Sequence, residues 1–107
     1  MTHIDLKILQ TCSSTNDIAI QKASKGSPEG CSYLCYFQTN GRGRNNNHWE
    51  SLKGNLFLST IIRPKIDKVH WHQLSLIIGY SIFQTLVTLG VDINKIELKW
   101  PNDVLVD

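Results

Sequence analysis

Several things are scarce in this 107-residue chain, and each scarcity narrows what it can be. No apolar run approaches the ~18 residues that a membrane span needs. The opening Met1-Thr2-His3-Ile4-Asp5 lacks a basic region followed by an apolar stretch, so no signal peptide is expected. There are three cysteines, Cys12, Cys31 and Cys35, an odd number. Cys31 and Cys35 fall in one predicted strand, where four residues of rise separate their Cα atoms by about 13 Å. A disulfide needs less than about 7 Å, so that pair cannot close. Free thiols, buried as small hydrophobes, and a cytoplasmic location are expected. Neither sign of charge dominates, with 11 Lys and Arg against 9 Asp and Glu. That excludes a broadly basic nucleic-acid coat and an acidic tail. No internal repeat, Walker-type phosphate loop or G-x-S-x-G nucleophile motif occurs.

The composition, 41% hydrophobic and 19% charged, suits a small globular domain with little core to spare. Ile4 to Leu9 reads as a strand. Ser13 and Ser14 can cap a helix over Thr15 to Lys25, with Ala19, Ile20 and Ala23 on one side and Gly26 as its stop. Cys31 to Gln38 reads as a strand, and residues 39–54 as a long polar loop. Asn55 to Arg63 reads as a strand apolar enough for burial on both faces, ended by Pro64. His72 to Leu89 is apolar around most of its circumference and predicts a buried core helix, with Gly90 as its stop. Ile96 to Lys99, a Pro101-Asn102-Asp103 turn and Val104 to Val106 complete the order β-α-β-β-α-β-β. That order predicts an α+β fold with a mixed β-sheet and helices packed on it.

Arginine is also scarce. Two of the three arginines stand together in Gly41-Arg42-Gly43-Arg44, and no acidic residue lies between Gly30 and Trp49. Glycines let the backbone approach an anion, and arginines add bidentate contacts to carboxylate or phosphate. A solvated hairpin loop fits the same composition. The stretch misses G-x-G-x-x-G, having Asn46 at the third glycine, and no helix follows it, which excludes a dinucleotide fingerprint. Trp49 suits either stacking on a base or anchoring the loop. In Lys99-Trp100-Pro101-Asn102-Asp103, the proline keeps Trp100 extended and sets a turn. Asn102 can then read an adenine edge and Asp103 can accept a proton, although both are also ordinary turn residues. His70-Trp71-His72 lacks the companions of a metal site and reads as helix-entry residues.

Three motifs in order resemble one family. They are Ser14-Thr15-Asn16; Gln38-Thr39-Asn40-Gly41-Arg42-Gly43-Arg44 with Trp49 and Gly54-Asn55-Leu56; and Lys99-Trp100-Pro101-Asn102-Asp103. Together they look like the catalytic domain of biotin protein ligases, from about residue 7 to residue 107. The resemblance implies a fold like that of class II aminoacyl-tRNA synthetases and biotin synthetases. It implies that residues 1–107 are the N-terminal part of such a domain. The family's catalytic lysine, in Lys-x-x-Gly-Ile-Leu, is expected after Asp107, so little carrier biotinylation is expected of these residues alone. The resemblance further implies biotin, ATP and Mg2+, and a biotin carboxyl carrier protein of acetyl-CoA carboxylase as partner. Homodimerisation is a further expectation; DNA is not implied, since no winged helix precedes residue 7, and the apolar runs are too short to imply a membrane.

By position, Ser14, Thr15, Gln38, Gly41 and Arg42 are expected around biotin. Arg44 is expected at the adenylate phosphate, Trp49 over adenine, and Asn102 at the adenine edge. Asp103 is expected to assist the incoming lysine, which makes Arg44 and Asp103 the expected catalytic pair. Asn46 stands where the family usually has glycine, and asparagine tolerates positive φ better than most residues. A lipoate or octanoyl transferase of the same superfamily is one alternative. A polyanion-binding module built on Arg42 and Arg44 is another.

Overall fold

Strand β1 (Asp5–Cys12) and strand β2 (Cys31–Gln38) run parallel, in register from Asp5 opposite Cys31 to Cys12 opposite Gln38. Parallel neighbours need a crossover, and helix α1 (Thr15–Ser24) supplies it. Strand β3 (Phe57–Thr60) pairs antiparallel with β2, from Ser32 opposite Thr60 to Cys35 opposite Phe57. These elements form a mixed three-stranded sheet in the order β1-β2-β3. They belong to the first of two units of the chain, Met1–Pro64 and Lys65–Asp107. The computed structural model describes residues 3–107; Met1 and Thr2, part of the leader reading above, lie outside the described residues.

The local chemistry of α1 explains its limits. Ser14 is extended (φ −161°), its Oγ accepts from the Asp17 N–H at 3.3 Å, and its carbonyl accepts from Ile18. The Asp17 contact satisfies one of the orphan donors of the first turn, and the Ile18 bond opens the regular helical ladder. Gly26 closes the helix at φ +94°, a conformation costly for residues with a Cβ. The third arginine, Arg63, donates to the Ala23 carbonyl at 3.0 Å and so supports the last turn. One side of α1 presents Ala19 to Cys31, Tyr33 and Ile61, the buried core of this unit, with Ile18 and Ala23 beside it. Burying side chains such as Tyr33 and Ile61 contributes on the order of 1.5–3 kcal/mol each.

Two strands differ from expectation. β1 continues past Leu9 to Cys12, because β2 offers a hydrogen-bonding partner along that whole length. β3 is shorter than Asn55–Arg63 and is covered on one face only. Phe57 and Ile61 are buried towards α1, whereas Leu58 and Ile62 on the other face are exposed.

In the second unit a 3-10 stretch (Lys68–Gln73) leads into helix α2 (Leu74–Thr88). Gly90 (φ +96°) and Val91 donate to the carbonyls of Val87 and Leu86, the hydrogen-bond pair of a Schellman stop. Strands β4 (Ile96–Lys99) and β5 (Asp103–Val106) form an antiparallel hairpin, with Lys99 opposite Asp103. The five strands therefore make a mixed sheet plus a separate hairpin.

The expectation that the long helix is a buried core element is corrected, since no residue of α2 is fully buried. Leu76, Ile77, Ile78, Tyr80 and Ile82 are exposed. A helix that is apolar all round needs partners all round. Within its unit α2 has the 3-10 stretch and the β4–β5 hairpin as neighbours, and they do not surround it. Among the described residues no helix is long and apolar enough to cross a membrane.

Candidate functional site

The parallel β1-α1-β2 arrangement brings two chain segments side by side at the C-terminal ends of the strands. Beyond the ladder, Thr39 donates to the Cys12 carbonyl at 3.0 Å and Asn40 to the Ser13 carbonyl at 2.8 Å. Gln38 thereby lies beside the start of α1. Ser14 is 1% exposed, Thr15 4% and Gln38 9%, so three polar residues are withdrawn from water together.

Their hydrogen bonds form one connected network. Gln38 Oε1 accepts from the Thr15 N–H at 2.8 Å and from Thr15 Oγ1 at 3.2 Å. Only the amide oxygen can accept, which fixes the orientation of the Gln38 amide. Its Nε2 then donates to Ser51 Oγ at 3.2 Å. Because Thr15 Oγ1 donates to Gln38, the 2.9 Å contact with Ser59 Oγ requires Ser59 to be the donor. Among the described residues no buried side-chain nitrogen or oxygen lacks a partner. Ser51 and Ser59 were not among the sequence candidates. Ser59 alternates with Phe57 and Ile61 on the face towards α1, a signal legible in the strand; Ser51 carries none.

Gly41 follows directly. A Cβ there would stand 2.8 Å from the Trp49 carbonyl oxygen, 2.8 Å from Ser51 Oγ and 3.0 Å from Gln38 Nε2. The glycine is therefore a matter of space, and positive φ between Gly41 and Asn47 is taken instead by Asn45 (56°) and Asn46 (62°). Gly43 has φ −91°. Trp49 donates its N–H to the Gly41 carbonyl at 2.9 Å, and Gly43 to the Asn47 carbonyl at 2.7 Å. The Arg42 guanidinium pairs with the Asp17 carboxylate on the first turn of α1 and donates to Asn46 Oδ1 at 2.8 Å. Arg44 is exposed and has no ion pair among the described residues, which leaves its guanidinium open to an anion. Trp49 is also exposed, and a Cβ on Gly43 would stand 3.5 Å from its ring.

Cys12 stands opposite Gln38 in the ladder. Burial pushes its thiol up from 9.0 to about 12, with hydrogen bonding and charge interaction from the Cys35 thiol adding to the effect. It is therefore a neutral thiol, not a nucleophile, at neutral pH. All three cysteines are free, as the strand spacing predicts for Cys31 and Cys35.

The remaining two candidates belong to the second unit. Asn102 and Asp103, with Lys99, Trp100, Gly79 and Tyr80, line a cavity of about 230 Å³. The Trp100–Pro101 peptide is cis, and Asp103 is the first residue of β5. A second cleft in the first unit, about 830 Å³, is lined by Gln10, Thr11, Tyr36, Phe37 and residues 53–56. None of the sequence-predicted site residues lines that cleft.

Known proteins match across nearly the whole chain. It is 34% identical over 99 residues to the bifunctional ligase/repressor BirA of Escherichia coli, covering 91% of this chain and 30% of that protein. It is 33% identical to the biotin–[acetyl-CoA-carboxylase] ligase of Mycobacterium tuberculosis, covering 92% of this chain and 38% of that one. The chain thus spans about a third of the length of these relatives. In structure it is similar to the biotin protein ligase of Aquifex aeolicus solved in complex with biotin and ATP. The TM-score is 0.75 at 32% identity, over 94% of this chain and 41% of that one. The family model for biotin/lipoate A/B protein ligases matches residues 9–107, which takes in every motif of the site. With its buried Ser14-Thr15-Gln38 network and its Gly-Arg-Gly-Arg loop inside that span, the chain belongs to the biotin/lipoate A/B protein ligase family.

Proposed function

We propose that this protein takes part in ATP-dependent biotin ligation, with biotin held by the first unit and activated as biotinyl-5′-adenylate. The observation that carries the reading is the buried Thr15–Gln38 pair, two bonds of which converge on one amide oxygen beside Gly41. A ureido head offers two N–H donors and one carbonyl acceptor. A recess built of hydroxyls and a carboxamide presents the complementary groups, and a buried polar site rejects ligands that leave its groups unpaired. The relatives described above are biotin ligases, which favours biotin over lipoate for this member of the family.

The reaction runs in two steps. The biotin carboxylate oxygen attacks the α-phosphorus of ATP, and pyrophosphate leaves. The amine of a carrier lysine then attacks the acyl carbon of the mixed anhydride, and AMP leaves. Negative charge accumulates at phosphorus in the first step, where an open guanidinium is most useful; Arg44 has that role in this reading. Trp49 supplies a flat apolar face for adenine, and Asn102 a carboxamide for its edge. Asp103 accepts or orients the proton of the attacking lysine amine. Magnesium bound with ATP is held largely by phosphates and water. Among the described residues no group of three or more His, Cys, Asp or Glu converges. The carrier is a biotin-accepting domain of a carboxylase, in keeping with the names of the relatives.

The test is to incubate the protein with biotin and labelled ATP and to separate biotinyl-adenylate from ATP. In a protein that carries these residues together with the Lys-x-x-Gly-Ile-Leu segment, adenylate formation with matching pyrophosphate release is expected, and Arg44→Gly should release the adenylate faster. Adenylate retained equally by Arg44→Gly contradicts the phosphate-facing role. Activation of lipoate in preference to biotin contradicts the biotin assignment.

A further inference from the structure

Asp17 was not a sequence candidate, yet its carboxylate is the long-range partner of Arg42, 25 residues away in the chain. We propose that Asp17 is a positioning residue. It holds the Arg42 guanidinium against the first turn of α1 and so ties the Gly41–Asn47 loop to the turn that carries Thr15. This deepens the biotin reading and rests on it for its functional consequence.

Three features of the loop support the assignment. The base is fixed by the Trp49 N–H bond to the Gly41 carbonyl and by packing so close that a Cβ on Gly41 would stand 2.8 Å from the Trp49 carbonyl oxygen and from Ser51 Oγ. The far end is held by the same arginine, whose Nη1 donates to Asn46 Oδ1 at 2.8 Å while Nη2 binds Asp17. One side chain thus spans from the fixed base to both the loop's left-handed turn and the helix. Finally, the guanidinium has five N–H groups and uses two of them here, so it can meet an anionic ligand without releasing Asp17. Asp17 also favours the helix N-terminus electrostatically, and its own N–H reaches Ser14 Oγ. A purely helix-supporting Asp17 would affect α1 and leave the loop unchanged, which is what separates the two roles.

Hydrogen exchange on the whole chain reads this without ligand. The amides of Gly43 and Trp49 donate to the carbonyls of Asn47 and Gly41, so their protection reports loop order. In Asp17→Ala both should exchange about 1.5-fold to fivefold faster, the range expected for a partly exposed ion pair. Asp17→Asn keeps an acceptor oxygen and should restore most of the protection. Arg42→Lys removes the fork from the other end and should accelerate the same two amides without touching the α1 cap. Unchanged exchange in Asp17→Ala and Arg42→Lys, or acceleration confined to α1, overturns the proposal. In the biotin arm, Asp17→Ala should raise Kd for biotin several-fold in calorimetric titration, and Asp17→Asn should rescue it. A wild-type chain that fails to bind biotin sinks the functional reading, while the exchange result still decides the role of Asp17.

Discussion

Gly41 shows how one missing carbon can define a site. Its neighbours include a backbone carbonyl that cannot rotate away, so Gly41→Ala forces the loop to move. Overpacking of this kind costs about 1–3 kcal/mol. Gly41→Ala should therefore weaken biotin binding by about tenfold or more in calorimetric titration, with the fold retained by circular dichroism. Cys12 gives a second residue-scale prediction. Its thiol ionises near 9.0 when unfolded and near 12 when folded. The unfolded chain loses the proton first, so this stabilising contribution is complete below about pH 9 and fades as pH climbs towards 12. At pH 9, alkylation of Cys12 should be much slower in the folded chain than in urea; equal rates would contradict the burial. The residues of the candidate site were legible from sequence chiefly as motif positions. What the sequence did not show is their wiring. That Gln38 spends its oxygen on Thr15 and its nitrogen on Ser51 depends on tertiary proximity across 23 and 13 residues.

At the scale of elements, patterning located the helices and most strand cores, because capping and stop residues act locally. Ser14 and Gly26 bracket α1, and Gly90 closes α2, as their chemistry dictates. Strand ends were less legible: β1 continues to Cys12 because its partner does, and that information lies in β2. Burial was the weakest inference for α2, since composition tells how much a helix wants to be covered and not what covers it. Gly79 lies inside α2, and a Cβ there meets nothing within 4 Å. A glycine in a helix interior costs about 0.5–1 kcal/mol relative to alanine. Gly79→Ala should accordingly raise the urea midpoint by a corresponding amount, whereas a drop would reveal a packing requirement at that position.

At the scale of the molecule, the buried apolar core of the first unit is small, built on Ala19, Cys31, Tyr33 and Ile61. The outer sheet face leaves Leu6, Ile8, Tyr36 and Leu58 exposed. Apolar surface on that scale predicts modest stability and strong binding of a hydrophobic dye such as ANS by the 107-residue chain. The near-neutral net charge of +2 conceals a local asymmetry, because Arg42 is paired with Asp17 while Arg44 remains open. An anion is therefore expected to act first through Arg44, with Arg42 contributing its unused N–H groups. The most direct test is calorimetric titration of the chain with biotin and, separately, with lipoate, for the wild type and Gln38→Ala. The account predicts binding of biotin in preference to lipoate and its loss in Gln38→Ala; preference for lipoate, or biotin binding indifferent to Gln38, would contradict it.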